Sequence, residues 1–218
     1  MSETIGFAVY PKESVDGSVL EACSFNFSNH YGIWQAKSRG RVKISANALA
    51  RLYLNENCRL VVAFDTTLEN IIGHAFFKVF YSATIGCNVA WFTQLVVRTE
   101  YRHRKIAQRI LSVAIPPDIG CAGLATTHPY AVMALEKAMR KKVDPVICKV
   151  VAAKIIEESR IDYLCNCSLV MEGDFCLVNT DFHVDHSEPE SVLAALEPGT
   201  WVLGNLLDGH EFVAIIIA

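Results

Sequence analysis

An apolar segment that leads directly into a basic turn and then into a helical pattern constrains the fold of this chain most. Residues 88–98, NVAWFTQLVVR, are apolar with little alternation, which is typical of a strand buried on both faces. From Ile106 onward, apolar residues recur at helical spacing until two consecutive prolines stop the helix. Three cations lie in the turn between them: Arg102, Arg104 and Lys105. The sequence therefore predicts a central strand that ends at the N-terminus of a helix, with a basic turn between them.

Strand and helix patterns alternate on both sides of this segment. The apolar runs at 58–65 and 71–80 are separated by a short polar turn, which predicts a β-hairpin. Residues 119–126, IGCAGLAT, predict another buried strand, and His128-Pro129 opens a second helix. Residues 145–160 predict one more amphipathic helix. Alternating strands and helices predict an α/β fold.

The remaining segments give weaker patterns. A helix capped by Ser45 is expected after a less regular N-terminal part. Residues 175–186 predict a strand, a short helix capped by Ser187 follows, and the chain is expected to end in a strand. We expect one domain over residues 1–218, with a core at about 58–140 and a variable part at 141–218.

Composition excludes several classes of protein. The formal charge of −3 gives no global reason to expect nucleic-acid binding, and no apolar run approaches the roughly 18 to 20 residues that cross a membrane. The first residues lack the pattern of a signal peptide, so we expect a cytoplasmic or nuclear protein. Five of the eight cysteines lie singly in apolar segments, which predicts reduced core residues: Cys23, Cys58, Cys87, Cys121 and Cys148. Cys165 and Cys167 with Cys176 give only a weak zinc signal, and we expect no metal.

The basic turn has the chemistry of an anion site. A helix N-terminus presents backbone N–H groups without intrahelical partners and a partial positive charge, which suits a pyrophosphate. Arg102 and Arg104 would add charge-assisted contacts. A solvated basic turn without a ligand is the alternative reading of such a run.

The turn and its neighbours resemble the GNAT superfamily of acyl-CoA N-acyltransferases, whose loop reads Q/R-x-x-G-x-G/A after the fourth strand. Arg102 and Ala107 match the first and last positions, and Lys105 replaces the middle glycine. The hairpin before the loop, the strand and H-P-x-A helix after it, and a tail like that of uncharacterised fungal members extend the resemblance. Lys105 is compatible with such a loop if its φ is negative or its side chain turns outward.

The resemblance implies a GNAT-like mixed, centrally splayed β-sheet flanked by helices, with acetyl-CoA as co-substrate. It implies that the amide edges of Leu95, Val96 and Val97 pair with the pantetheine arm. It also implies that the backbone at the loop takes the pyrophosphate, through the residues His103, Arg104, Lys105, Ile106 and Ala107.

The residues that usually carry the chemistry of this family differ here. The tyrosine that protonates the thiolate is replaced by Leu135, and Tyr130 is a candidate substitute. The positions that often supply a base hold Trp91 and Thr93, which we expect to line the acceptor pocket.

Other titratable groups are candidates for the base. They are His128 at the start of the second helix and a late cluster on the strand predicted at 175–186. In an extended strand Asp181, His183 and Asp185 would share one face, which predicts a carboxylate-supported imidazole. His183 and Asp185 are therefore candidate catalytic residues, and a surface role is the alternative for each of them.

Three functions follow as hypotheses. The first is an N-acetyltransferase that moves an acetyl group from acetyl-CoA to the primary amine of a small molecule or peptide. The second is a catalytically weak acyl-CoA-binding or sensor protein. The third is an interaction module whose apolar tail pairs with a partner, or with a second copy in a homodimer, by strand addition.

Overall fold

The computed structural model describes residues 5–171 and 173–218. The chain forms two compact units, one with the described residues up to Val79 and Phe92–Pro117, the other with Phe80–Trp91 and Asp118–Ala218. Strands and helices alternate along both, so the predicted α/β fold is confirmed.

The helices and strands have the following bounds. The strands are β1 Ile5–Pro11, β2 Cys58–Asp65, β3 Asn70–Ser82, β4 Cys87–Val97, β5 Ile119–Thr126, β6 Ser168–Val170, β7 Leu177–Asn179 and β8 His210–Ile217. The helices are α1 Gly17–His30, α2 Ala46–Tyr53, α3 Ile106–Ala114, α4 Pro129–Met139, α5 Pro145–Ser159, α6 Asp162–Cys165 and α7 Ser187–Ala195. The predicted hairpin, the strand before the basic turn and the helix after it are therefore present.

In the first unit the strands follow the order β1, β2, β3, β4. β2 pairs antiparallel with β1 and with β3, and Leu60 lies opposite Phe76 in the second pair. The side chains that α1 and α2 bury against these strands include Cys23 and Leu49, both fully buried. Ser45 caps α2 as predicted, because its side chain accepts a hydrogen bond from the amide of Ala48.

Gly73 in β3 fixes the position of α3. A Cβ at this residue would lie 3.0 Å from Cδ1 of Ile110 in α3 and 3.0 Å from the carbonyl oxygen of Val96. A side chain here would push the helix away from the strands. The glycine therefore brings α3, and the turn that precedes it, close to the end of β4.

In the second unit the strand order is β4, β5, β8, β7, β6. β5 and β8 are antiparallel, with Cys121 opposite Ile217, and β7 pairs with the first residues of β8. Both sides of β8 therefore have partner strands at its beginning. β7 does not extend beyond Phe212 of β8, so strand addition by the apolar tail stays a prediction.

The strand predicted at 175–186 is wrong after Asn179. Asp181 has φ +54°, a left-handed conformation that ends an extended strand, and Thr180 donates its amide hydrogen to Gly209. The predicted cap of α7 is also wrong, because Ser187 is its first helical residue. The Ser187 amide donates to Oδ1 of Asp185 at 2.9 Å.

The eight cysteines are free thiols, and five of them are buried. Cys87 was predicted in the core but is partly exposed, because it lies at the start of β4. In the described part of the chain, no helix combines the length and the apolar composition that crossing a bilayer requires.

Candidate functional site

The backbone of the basic turn is shaped as an anion cradle. His103 and Lys105 both have left-handed conformations, with φ of +60° and +61°. Lys105 is the N-cap of α3, and its side chain makes no capping hydrogen bond. A left-handed residue followed by a right-handed helix directs three successive N–H groups toward one point, here those of Lys105, Ile106 and Ala107. The helix dipole adds partial positive charge at the same end.

The side chains at the tip of the turn extend into solvent. His103, Arg104 and Lys105 are exposed, and the Arg104 guanidinium lies over the ring of Tyr101 at 5.1 Å. Lys105 has the positive φ that glycine adopts without strain, and its side chain turns outward. A lysine is compatible with this loop if its φ is negative or if its side chain turns outward, and the structure shows the outward side chain.

The side chain of Arg102 holds the turn in place, and its predicted contact with a pyrophosphate stays a prediction. Its guanidinium donates to the carbonyl oxygen of His30, at the end of α1, and to that of Val97, at the end of β4. Arg102 thereby connects α1, β4 and the turn. The structure shows it as a residue that positions the loop, with Arg104 and Lys105 as the exposed cations.

Asn26 holds the first residue of the turn. This fully buried side chain accepts a hydrogen bond from Nε of Arg98 at 2.7 Å and donates to the carbonyl oxygen of Ile71 at 2.9 Å. The amide of Arg98 donates to the carbonyl oxygen of Ile72 at 2.9 Å. α1 and β3 therefore fix the direction in which the chain leaves β4.

Asp65 holds the middle of the turn from the other side. Its Oδ2 accepts a hydrogen bond from the hydroxyl of Tyr101 at 3.3 Å. Its Oδ1 accepts the amides of Thr67 and Leu68, and the Thr67 amide contributes most to lowering the pKa of this buried carboxyl. A carboxylate held this way stays charged near neutral pH and anchors the tyrosine.

The end of β4 presents backbone groups on the side away from β3. Arg98 donates its amide to β3, and the Val96 carbonyl lies against Gly73 of that strand. Backbone groups in an antiparallel pair alternate in direction, so those of Leu95 and Val97 face away from β3. Of the three residues expected to pair with pantetheine, these two have the required direction.

Trp91 and Thr93, the residues expected to line the acceptor pocket, are held in place by their surroundings. Trp91 is 0% exposed, and its ring lies 2.7 Å from the position of a Cβ at Gly123. Thr93 is partly exposed and donates its hydroxyl to the carbonyl oxygen of Phe76. Their role in binding an acceptor stays a prediction.

His128 and Tyr130 lie together at the start of α4. His128 is the N-cap, and its Nδ1 accepts the amide of Tyr130 at 3.2 Å. The neutral imidazole therefore carries its proton on Nε2, which lies 3.5 Å from a carboxylate oxygen of Glu188. The Tyr130 ring stacks on His128 and is 43% exposed, whereas Leu135 is fully buried.

His183 is supported by carboxylates, but not by Asp185. Its Nε2 lies 2.9 Å from Asp181 and its Nδ1 lies 3.1 Å from Asp208. Asp181 first, and then Asp208, raise the pKa of His183. Asp185 instead accepts the Ser187 amide, so its predicted partnership with His183 is wrong. The chain bends at Asp181, and the expected strand face does not exist.

Glu211 was not singled out as a catalytic residue, although it has unusual chemistry. It lies in β8 with 7% exposure, and burial raises its pKa to about 7. A carboxyl with a pKa near neutrality is suited to accept or donate a proton under cellular conditions. A single acid in an otherwise apolar strand was the available sequence signal.

The side chains that anchor the turn also escaped the sequence reasoning. Asp65 had a signal, since an aspartate at the end of a strand before a polar turn commonly accepts turn amides. Asn26 had no sequence signal, because its partner Arg98 is 72 residues away along the chain. No group of three potential metal ligands occurs among the residues that the structure describes.

Several solved structures are similar to about half of this chain. No protein-family model and no curated protein matches the chain. A ribosomal-protein-alanine N-acetyltransferase from Brucella melitensis biovar Abortus 2308 is 14% identical over 50% of this chain and 69% of its own, with a TM-score of 0.37. A GNAT-family acetyltransferase from Staphylococcus aureus Mu50 is 16% identical over 56% of this chain and 74% of its own, with a TM-score of 0.39.

A fungal multi-domain GH3 β-N-acetylglucosaminidase contains a GCN5-related glucosamine N-acetyltransferase region that is also similar. It is 12% identical over 59% of this chain and 14% of its own, with a TM-score of 0.44. At these identities and TM-scores the similarities assign neither a family nor an activity to this chain. The activity has to be argued from the residues of this chain.

Proposed function

We propose that the protein is an acyl-CoA-dependent N-acyltransferase that moves an acetyl group from acetyl-CoA to a primary amine of a small molecule or peptide. The observation that carries this proposal is the cradle at the start of α3, where the N–H groups of Lys105, Ile106 and Ala107 converge beside exposed cations. Such a cradle suits the pyrophosphate of coenzyme A. Arg104 and Lys105 add charge at the rim.

The transfer proceeds by direct attack. The amine lone pair attacks the thioester carbon, the C–N bond forms, and the C–S bond breaks with its electrons leaving on sulfur. The proton lost by the amine returns to the thiolate, directly or through water, to give the free thiol of coenzyme A. The backbone groups of Leu95 and Val97 hold the pantetheine arm and orient the thioester for attack.

The proton-transfer groups differ in their suitability. His128 uses its Nδ1 lone pair to cap α4, so acting as a base would break that cap. Both ring nitrogens of His183 already face carboxylates, those of Asp181 and Asp208, which raise its pKa. Tyr130, with an exposed ring, is the candidate acid that remains from the sequence reasoning.

Apolar residues at the usual acid and base positions favour a second function. Leu135, at the position of the usual acid, is a fully buried core residue, and Trp91 at a usual base position is buried as well. A chain without these groups suits an acyl-CoA-binding protein that transfers slowly or not at all.

The discriminating experiment measures release of the coenzyme A thiol from acetyl-CoA across a panel of primary amines. Transfer predicts amine-dependent thiol release with a matching acetylated product by mass spectrometry. A Tyr130→Phe variant is expected to lower kcat and leave the acetyl-CoA KM unchanged, because the phenol acts on the leaving thiolate. Saturable acetyl-CoA binding with no thiol release for any amine would support the second function instead.

A further inference from the structure

A closed hairpin after α1 presents cations that the cradle does not use. We call residues 32–43 the basic hairpin. The amide of Trp34 donates to the carbonyl oxygen of Gly40 at 3.0 Å, and the amide of Val42 donates to that of Gly32 at 3.1 Å. Ile33 and Arg41 lie opposite each other in an antiparallel bridge. The backbone of this segment is therefore built and hydrogen-bonded.

Serine side chains of α1 hold the end of the basic hairpin. Ser24 donates its hydroxyl to the carbonyl oxygen of Ile44 at 2.6 Å, and Ser28 accepts the amide of Ile44 at 3.2 Å. Val42 is buried between two exposed cations, Arg41 and Lys43. In an extended segment these two cations share the outward face.

Three cations of the basic hairpin are exposed: Arg39, Arg41 and Lys43. Arg39 lies over the ring of Trp34 at 4.2 Å, which orients its guanidinium. Among the described residues, none of the three is in a salt bridge. The sequence contains no Asp or Glu from residue 22 to residue 55, so no acid of this segment neutralises them.

The charge of the basic hairpin adds to that of the neighbouring turn. His30 lies beside Thr99 of the turn. Burial lowers the pKa of His30, and the positive charges of Arg98, Arg102 and Arg41 lower it further, whereas the charge of Glu100 raises it. The first unit has 13 Lys and Arg against 8 Asp and Glu, a difference of +5; the second has 7 against 15, a difference of −8.

We propose that the basic hairpin is a docking surface for an acidic peptide segment of another protein. Three unneutralised cations on one built hairpin match carboxylates spaced along an extended chain, and electrostatic attraction of this kind raises the rate of association. A short acidic segment needs to contact only the exposed cations of the basic hairpin. A long polyanion such as RNA is disfavoured, because the chain as a whole carries −3 and the second unit −8.

The test measures binding of a fluorescently labelled eight-residue peptide with four glutamates, by anisotropy, to the whole chain in the presence of excess coenzyme A. The excess coenzyme A rests on the proposed function, whereas the comparison of variants below does not, because the hairpin variant keeps the cradle residues. We expect saturable binding that weakens as salt increases. Reversing all three charges, with Arg39→Glu, Arg41→Glu and Lys43→Glu together, is expected to weaken it about tenfold or more, since exposed charge pairs contribute little singly.

A matched control reverses three exposed lysines of the second unit, Lys137, Lys141 and Lys154, with the same change in net charge. This control is expected to keep the affinity of the native protein, and circular dichroism confirms that both variants are folded. Equal loss in both triple variants, or no peptide binding to the native protein, would overturn the proposal. Tighter binding of a 12-nucleotide RNA than of the peptide would also overturn it.

Discussion

Lys105 has a backbone conformation that glycine adopts without cost. A side chain at φ +61° costs roughly 1 kcal/mol, and the chain accepts this cost at the start of α3. The exposed ammonium of Lys105 lies next to the converging N–H groups, and it compensates for this cost. The sequence alone allowed either a changed backbone or an outward side chain, because the φ angle depends on how α3 packs on Gly73.

We expect Lys105→Gly to raise the melting temperature by about 2 °C, since the left-handed strain is removed. Lys105→Ala keeps the strain and is expected to melt with the native protein. Both variants lack the ammonium, so calorimetry should show weaker coenzyme A binding for both. Tighter binding by Lys105→Gly than by the native protein would mean that the lysine obstructs the cradle.

Asn26 illustrates what sequence patterns miss at this scale. In the sequence it is one polar residue of a helix, yet it links Arg98 to the backbone of β3. No spacing rule connects residues so far apart along the chain. The cations of the turn were visible as a cluster, whereas the residues that position them became visible only through long-range hydrogen bonds.

Replacing Asn26 with alanine leaves the carbonyl oxygen of Ile71 and Nε of Arg98 without this partner. We expect Asn26→Ala to lower the free energy of unfolding by about 1–3 kcal/mol in urea titrations. Asn29→Ala is the control, because the Asn29 side chain donates a hydrogen bond within α1. This variant should change the free energy of unfolding by less than about 0.5 kcal/mol. Similar losses in the two variants would contradict the anchoring role of Asn26.

At the scale of elements, local patterns predicted the segments whose partners are close in sequence. The hairpin of β2 and β3, the strand β4, and α3 and α5 follow from alternation, apolar runs and helical spacing. The segment 175–186 has strand-like composition, but the hydrogen bond from Thr180 to Gly209 and the positive φ of Asp181 turn it away after β7. Tertiary contacts therefore override strand preference there.

Glu211 in β8 gives an element-scale prediction. Its pKa in the folded protein, about 7, lies above the ordinary value of 4.5, so the folded state binds the extra proton between these values. Stability should therefore fall as pH rises from about 4.5 to 7, by roughly 3 kcal/mol in total. Glu211→Gln should remove this dependence and be more stable than the native protein at pH 8.

The measurement is the free energy of unfolding in urea at several pH values from 4.5 to 8. Glu197→Gln serves as the control, because Glu197 is exposed and should leave the pH profile unchanged. If the free energy of unfolding of Glu211→Gln depends on pH in the same way as that of the native protein, burial does not raise the pKa of Glu211.

At the scale of the whole molecule, net charge hides a strong difference between the two units. The overall −3 gives no global reason to expect nucleic-acid binding, whereas the cradle and the basic hairpin both lie in the unit with a charge of +5. Composition averages over the chain, whereas the field at a surface depends on where charges lie. This division became visible only once the folded chain separated into units.

The central claim is that the cradle at the start of α3 binds coenzyme A. The direct measurement is calorimetric titration of the native protein with acetyl-CoA and coenzyme A, beside an Arg104→Ala, Lys105→Ala double variant. A Lys12→Ala, Lys78→Ala variant is the matched control with the same change in charge. We expect saturable binding by the native protein and the control, and roughly tenfold weaker binding by the double variant. No binding at millimolar ligand, or equal affinity in all three proteins, would contradict the claim.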